Sequence, residues 1–154
     1  FTASAMRMQL ERLPTGITVL NDAYNASPAS MLAALETLTD LPADRRIAVL
    51  GDMLELGHDS EAEHTAIGRL VAALPVDLLL TVGHHGGRIA DGARSGGFPA
   101  DCIVRVHDAL EAADRVRALA QAGDVILVKA SRGLQLEQVV NALKEQSTKS
   151  GEVL

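Results

Sequence analysis

The chain has 154 residues and 47% apolar side chains, but its only aromatics are Phe1, Tyr24 and Phe98, so a single domain with an aliphatic core is expected. A net charge of −6, with no set of aromatics on which bases could stack, argues against nucleic-acid binding. No apolar run approaches the ~20 residues of a membrane span, no signal peptide is recognised, and one cysteine, Cys102, cannot close an internal disulfide, so a cytoplasmic protein without membrane insertion is expected.

Read in chain order, residues 6–13 suit an edge strand, and Pro14-Thr15-Gly16 is a turn signal. So tight a connection makes this strand antiparallel to the next, at Ile17 to Leu20, because a parallel neighbour needs a long crossover. Ser27-Pro28 pairs a capping serine with a proline at the first helical position, and Met31, Leu32, Leu35 and Leu38 follow at helical spacing. Ile47 to Leu50 is the next strand. Ser60 and Glu63 have the spacing of a capping box before the helical face of Ile67, Leu70, Val71 and Leu74. Leu78 to Val82 is a strand, followed by a short helix from about Arg88 to Arg94. Cys102 to Val106 is a strand, with Cys102 at its buried start. Asp108 and Glu111 cap the helix carrying Leu110, Ala113 and Val116. Val125 to Val128 is the last strand, and Leu136, Val139, Val140 and Leu143 face the core from the last helix, which is expected to fray in the polar stretch after Lys144.

Strand and helix alternate about five times, and the strands are short, continuously apolar and rich in β-branched residues. Strands buried on both faces read this way. The fold class is therefore α/β: a doubly wound, mostly parallel sheet of five parallel strands plus one antiparallel edge strand, with helices on both faces.

Ligands of such sheets bind at the carboxyl ends of the strands. There the chain places Asn21-Asp22-Ala23-Tyr24-Asn25, then Asp52 and Glu55 between Gly51 and Gly57, then Gly83-His84-His85, His107, and finally Lys129-Ala130-Ser131-Arg132. A rigid carboxylate at Asp22 suits a ribose diol or a nearby metal ion, and equally a turn cap. Tyr24 lies in a polar loop, where it can cover an adenine or sugar face or merely a patch of core. Asp52 and Glu55 can orient an amine or magnesium-bound water, or simply favour the following helix start. Lys129, Ser131 and Arg132 stand where backbone N–H groups and a helix dipole already favour an anion, and Arg132 can clamp a carboxylate bidentately. The chain has no G-x-x-x-x-G-K-[ST] phosphate loop and no dinucleotide fingerprint after its first inner strand. Adjacent His84 and His85 point different ways and lack further ligands, so they make a poor metal site.

Three segments carry a resemblance across essentially the whole chain. Asn21-Asp22-Ala23-Tyr24-Asn25-Ala26-Ser27-Pro28 with Ser30-Met31, then Gly51-Asp52-Met53-Leu54-Glu55-Leu56-Gly57 with His64, then Lys129-Ala130-Ser131-Arg132 with Glu137 resemble motifs of the Mur ligases. The first two are similar to those of the branch that adds D-alanyl-D-alanine. The entry segment Met6-Arg7-Met8-Gln9 fits as well. Ser27 and Ala130 depart from the expected asparagine and glycine, and Ala130 is expected to restrict backbone approach to a ligand slightly.

The resemblance implies a Rossmann-like C-terminal domain over residues 1–154, with an N-terminal domain that grips the UDP-sugar peptide and a central domain carrying the phosphate loop both absent. The start at Phe1 fits an excised piece. It implies ATP-dependent amide formation. The carboxylate of UDP-N-acetylmuramoyl-tripeptide becomes an acyl phosphate, the amine of D-alanyl-D-alanine attacks it, and Mg2+, bound mainly by the central domain, neutralises charge. It further implies nucleotide contacts from Arg7, Asp22, Tyr24 and Asn25. Dipeptide-side contacts are implied for Ser131 and Arg132, with Lys129, Asp52 and Glu55 near the same cleft. No residue of the domain is expected to be catalytic or to ligate metal, and the domain alone is expected to be inactive.

Two other readings compete. One is a Mur-type ligase adding a different amino acid. The other is a phosphoacceptor receiver domain, whose acid, Thr and Lys set Asp22, Asp52, Thr81 and Lys129 imitate. Strand order opposes the receiver, since its acceptor follows the third strand and Asp52 follows the second inner one. Asn21 also stands where a receiver has a second acid.

Overall fold

The computed structural model describes residues 8–153, with side chains to residue 146. Six strands form one sheet: β1 (Gln9–Arg12), β2 (Thr18–Asp22), β3 (Arg45–Gly51), β4 (Leu78–Val82), β5 (Ile103–Val106) and β6 (Asp124–Lys129). Their order across the sheet is β1-β2-β6-β3-β4-β5. Only the β1–β2 pair is antiparallel, as the Pro14-Thr15-Gly16 turn requires. In that turn Leu13 N–H reaches the Ile17 carbonyl at 2.8 Å, and Gly16 adopts φ +92°.

The helices are α1 (Pro28–Asp40), α2 (Ser60–Ala72), α3 (Gly86–Ser95), α4 (Ala109–Leu119) and α5 (Glu137–Val153). α1, α2 and α3 cover one face, packing Met31, Leu35, Ile67, Val71 and Ile89 on Leu20, Leu50, Leu79 and Leu127. α4 and α5 cover the other, packing Val116, Val139 and Leu143 on Val19, Val49, Leu80 and Val128. The change of face has a topological cause. From β2 through β3 and β4 to β5 the chain winds outward over one face. It then doubles back through α4 to insert β6 between β2 and β3, and right-handed crossovers put the returning helices on the opposite face. That insertion makes the carboxyl ends of β2, β6 and β3 the switch point where ligands of open α/β sheets bind.

Three local expectations change. Ser60 and Glu63 form no capping box: a 3-10 turn at Gly57–Asp59 runs directly into α2, and Asp59, the N-cap, has φ −82° and ψ −6° and no side-chain cap bond. Extended backbone at the N-cap is what lets its side chain fold back, and here it is missing. The reciprocal box is instead at α1, where Ser27 and Ser30 each accept from the other's backbone N–H. Cys102 closes a 3-10 turn, half-buried, and β5 begins after it. The last helix continues past Lys144 to Val153.

At the amino edge of the sheet, away from the ligand rim, buried Asp124 accepts from Arg45 Nε at 2.9 Å and Nη2 at 2.7 Å and from Gln121 N–H at 2.8 Å. The hydrogen bond to Asp124 raises the Arg45 pKa further above its ordinary value. This bidentate pair joins β3 to β6 and α4 and is structural.

Candidate functional site

Two polar clusters stand side by side on the carboxyl rim. The first joins β2 and β6. Register puts Asp22 beside Lys129, and Lys129 Nζ donates to Asp22 Oδ2 at 2.5 Å and to the Asn25 carbonyl at 2.8 Å. Lys129 is 1% exposed and Asp22 5%. Sequence position groups Lys129 with Ser131 and Arg132, but strand alternation turns it to the α1 face, where Leu20 and Leu127 lie, and so to Asp22. A cleft of about 450 Å³ opens here, lined by Met8, Asp22, Asn25, Ser30 and Lys129 among others. The amino end of α1 borders it, offering backbone donors and the positive end of the helix dipole. Tyr24 is half-buried and Asn25 exposed on the same loop. Arg7 lies outside the described residues.

The second cluster joins the loops after β3, β4 and β6. Asp52 is buried, and its carboxylate accepts from the backbone N–H groups of His84 at 3.1 Å and His85 at 2.8 Å. Its carbonyl accepts from Ser131 N–H at 2.9 Å, while Ser131 Oγ accepts from Leu54 N–H at 2.8 Å. Asp52 and Ser131 thus tie three rim loops together, a role no residue spacing announces. Glu55 and Arg132 remain exposed on this frame. Glu55 has φ +66°, a left-handed conformation that costs a non-glycine residue roughly 1–2 kcal/mol and is imposed by its loop.

His64 anchors the same loop from beneath. It is fully buried on α2, its Nδ1–H donates to the Ser60 carbonyl at 2.5 Å, and its Nε2 accepts from Met53 N–H at 2.9 Å. These partners fix the tautomer. Burial lowers its pKa, the Ser60 bond acting the other way. Its ring stacks on His85 with centroids 4.8 Å apart.

Gly51 serves packing rather than ligand approach. A Cβ there would lie 2.4 Å from Leu134 Cδ1 and 2.8 Å from Ala130 Cβ. The Ala130 methyl is accordingly buried in the core and does not narrow the rim. Among the described residues no group of three or more His, Cys, Asp or Glu is placed to hold a metal ion, and no helix is long and apolar enough to cross a membrane.

Residues 6–132 match the family model described as Mur ligase, glutamate ligase domain. The chain belongs to the Mur ligase family. Among this Mur ligase domain's relatives, the UDP-N-acetylmuramoyl-tripeptide–D-alanyl-D-alanine ligase of Mycobacterium tuberculosis (strain CDC 1551 / Oshkosh) is 42% identical over 163 residues, covering 94% of the chain and 32% of the relative. The ligase of the same name from Bacillus subtilis is 38% identical over 143 residues, covering 92% and 31%. Of solved structures, MurF from Acinetobacter baumannii superposes with a TM-score of 0.79 at 29% identity, covering 90% of the chain and 30% of that structure. MurF ligase from Thermotoga maritima, solved in complex with ADP, superposes with a TM-score of 0.75 at 26% identity, covering 94% and 32%. The Mur ligase domain thus spans about a third of the length of these relatives.

Proposed function

We propose that this chain is the C-terminal domain of an ATP-dependent ligase that joins D-alanyl-D-alanine to UDP-N-acetylmuramoyl-tripeptide in cell-wall precursor synthesis, in the cytoplasm. The observation that carries this reading is the division of one rim into two adjacent clusters, Asp22/Lys129 and Asp52/Ser131/Arg132, on a domain whose relatives at 38–42% identity bear that activity's name.

The Asp22 cleft takes the nucleotide. Asp22 is held rigid by Lys129, and a carboxylate has acceptor positions to spare for ribose hydroxyls beyond one ion pair. Tyr24 and Asn25 line the base or sugar, and the family resemblance assigns Arg7, outside the described residues, to the base or phosphate. The chain contains no phosphate loop, so the triphosphate is gripped elsewhere in the longer protein. The second cluster faces the incoming dipeptide. Arg132, exposed at the start of its turn, forms a fork for the free carboxylate, and Glu55 stands on the same frame to meet the amine. Asp52 and Ser131 hold this frame and do not need to touch substrate.

Magnesium does not fit at Asp22 or Asp52. The charge of Asp22 is met by Lys129, and the carboxylate of Asp52 is occupied by two amides. No step is therefore assigned to a metal held by these residues. The domain's contribution is to place nucleotide and amine against the acyl group while other domains supply the phosphate contacts.

The test is phosphate release by the full-length protein with ATP, UDP-N-acetylmuramoyl-tripeptide and a panel of amines. Release that requires D-alanyl-D-alanine is expected. Release driven by a single amino acid, with the dipeptide inert, would assign the chain to another branch of the family.

A further inference from the structure

We infer that His64 is a positioning residue for dipeptide binding: as a neutral imidazole it fixes, through Met53, the loop that carries Asp52 and Glu55. The inference rests on the proposed dipeptide-side role of that loop.

The loop from Gly51 to Gly57 is held by the His84 and His85 amides on the Asp52 carboxylate and at three further points. Ser131 Oγ accepts from Leu54 N–H, Ser131 N–H donates to the Asp52 carbonyl, and His64 Nε2 accepts from Met53 N–H. The first two link the loop to its neighbour after β6, which carries Arg132. The Asp52 carboxylate links it to the loop after β4, and the His64 bond ties it to α2. Met53 is 1% exposed, so no water replaces a lost acceptor there. Nδ1–H is committed to the Ser60 carbonyl, so the acceptor function resides in Nε2 and vanishes when the ring is protonated.

The charged and titratable groups around the ring come from three elements. Asp52 of the loop itself and Glu63 of α2 favour the imidazolium. His85, stacked on the ring from the loop after β4, opposes it, and His84 lies edge-on to His85. Desolvation outweighs them, and the neutral ring is the resting form. Protonation turns the Met53 acceptor into a donor facing a donor, and the loop loses its bond to α2. Asp22 and Lys129 are not among the ring's partners, so the nucleotide side is left unchanged.

The experiment compares the full-length protein with His64→Gln, whose amide oxygen keeps an acceptor that does not titrate, and with His64→Leu, which has none. In the wild type the KM for D-alanyl-D-alanine rises as pH falls toward the lowered pKa of His64, while the KM for ATP does not follow. His64→Gln keeps the dipeptide KM within a few-fold of wild type and loses that pH dependence. His64→Leu raises the dipeptide KM about tenfold at every pH. Equal behaviour of His64→Gln and His64→Leu, or unchanged pH dependence in His64→Gln, overturns the inference. Hydrogen exchange of residues 51–57 separates this failure from failure of the ligase reading. Faster exchange at Met53 in His64→Leu but not in His64→Gln, with β2 still protected, supports the anchor whatever the substrate. Identical Met53 exchange in all three proteins refutes it.

Discussion

Lys129 Nζ donates to Asp22 Oδ2 at 2.5 Å and to the Asn25 carbonyl at 2.8 Å, in a pocket where both charged side chains are withdrawn from solvent. The pair lies across the β2–β6 register and so locks the switch-point strands and the loop after β2 in one arrangement. Lys129→Met leaves Asp22 as a buried charge without its counter-ion. The expected loss is about 3–5 kcal/mol of unfolding free energy. Adding Asp22→Asn to Lys129→Met should restore much of it, because the uncompensated charge is gone. Urea titrations of the three variants check this, and a double variant no more stable than the single one would show that the pair is not what stabilises the site.

His64 gives the fold a pH dependence of known sign. Its pKa is lowered by burial in the folded chain, so below the ordinary value of 6.5 the unfolded chain binds the proton more readily. The contribution of His64 is therefore fully present above pH 6.5 and declines as pH falls toward its folded pKa. Unfolding free energies of wild type and His64→Gln, measured at pH 8 and pH 5.5, isolate this group from the carboxylates. The wild type should lose more stability between the two pH values than the variant does.

Helices α2 and α3 cross at two glycines. A Cβ on Gly68 would lie 1.9 Å from the Ile89 carbonyl oxygen, and one on Gly92 would lie 2.0 Å from that of Thr65. Backbone cannot yield as a side chain can, so Gly68→Ala or Gly92→Ala must spread the helices. Each should cost about 1–3 kcal/mol despite alanine's better helix propensity. Gly87→Ala is the control. Its nearest neighbour is the Arg105 Nη1 atom at 3.4 Å, the end of a flexible chain, and thermal melting should find it neutral.

The sheet, its single antiparallel edge and the helices on both faces were legible because the strands are continuous apolar runs and the Pro14-Thr15-Gly16 connection is too short for a crossover. The rim residues were legible as a set for the same reason, since they follow directly on those runs. Their partners were not. Lys129 reads as a neighbour of Ser131 in the chain, yet pleat alternation turns it to Asp22, 107 residues away. Asp52 looks like a free acid between glycines, yet its bonds go to amides more than 30 residues on. The Asp124–Arg45 clamp and the role of His64 likewise depend on contacts that local pattern does not encode. The Ser60–Glu63 spacing misled because the chain enters α2 from a 3-10 turn and never adopts the extended N-cap that a box needs.

The division of the rim into a nucleotide side and a dipeptide side is tested most directly by Arg132→Ala in the full-length protein. Arg132 is exposed and has no part in the core, so its loss leaves the fold intact. A charge-assisted bond to a carboxylate contributes roughly 1.5–3 kcal/mol, so the KM for D-alanyl-D-alanine should rise about tenfold to a hundredfold while the KM for ATP stays nearly unchanged. Arg132→Lys should recover part of the loss, since an ammonium keeps the charge without the fork. A variant that binds ATP weakly and the dipeptide normally would mean that the loop after β6 faces the nucleotide, and that the two sides are assigned the wrong way round.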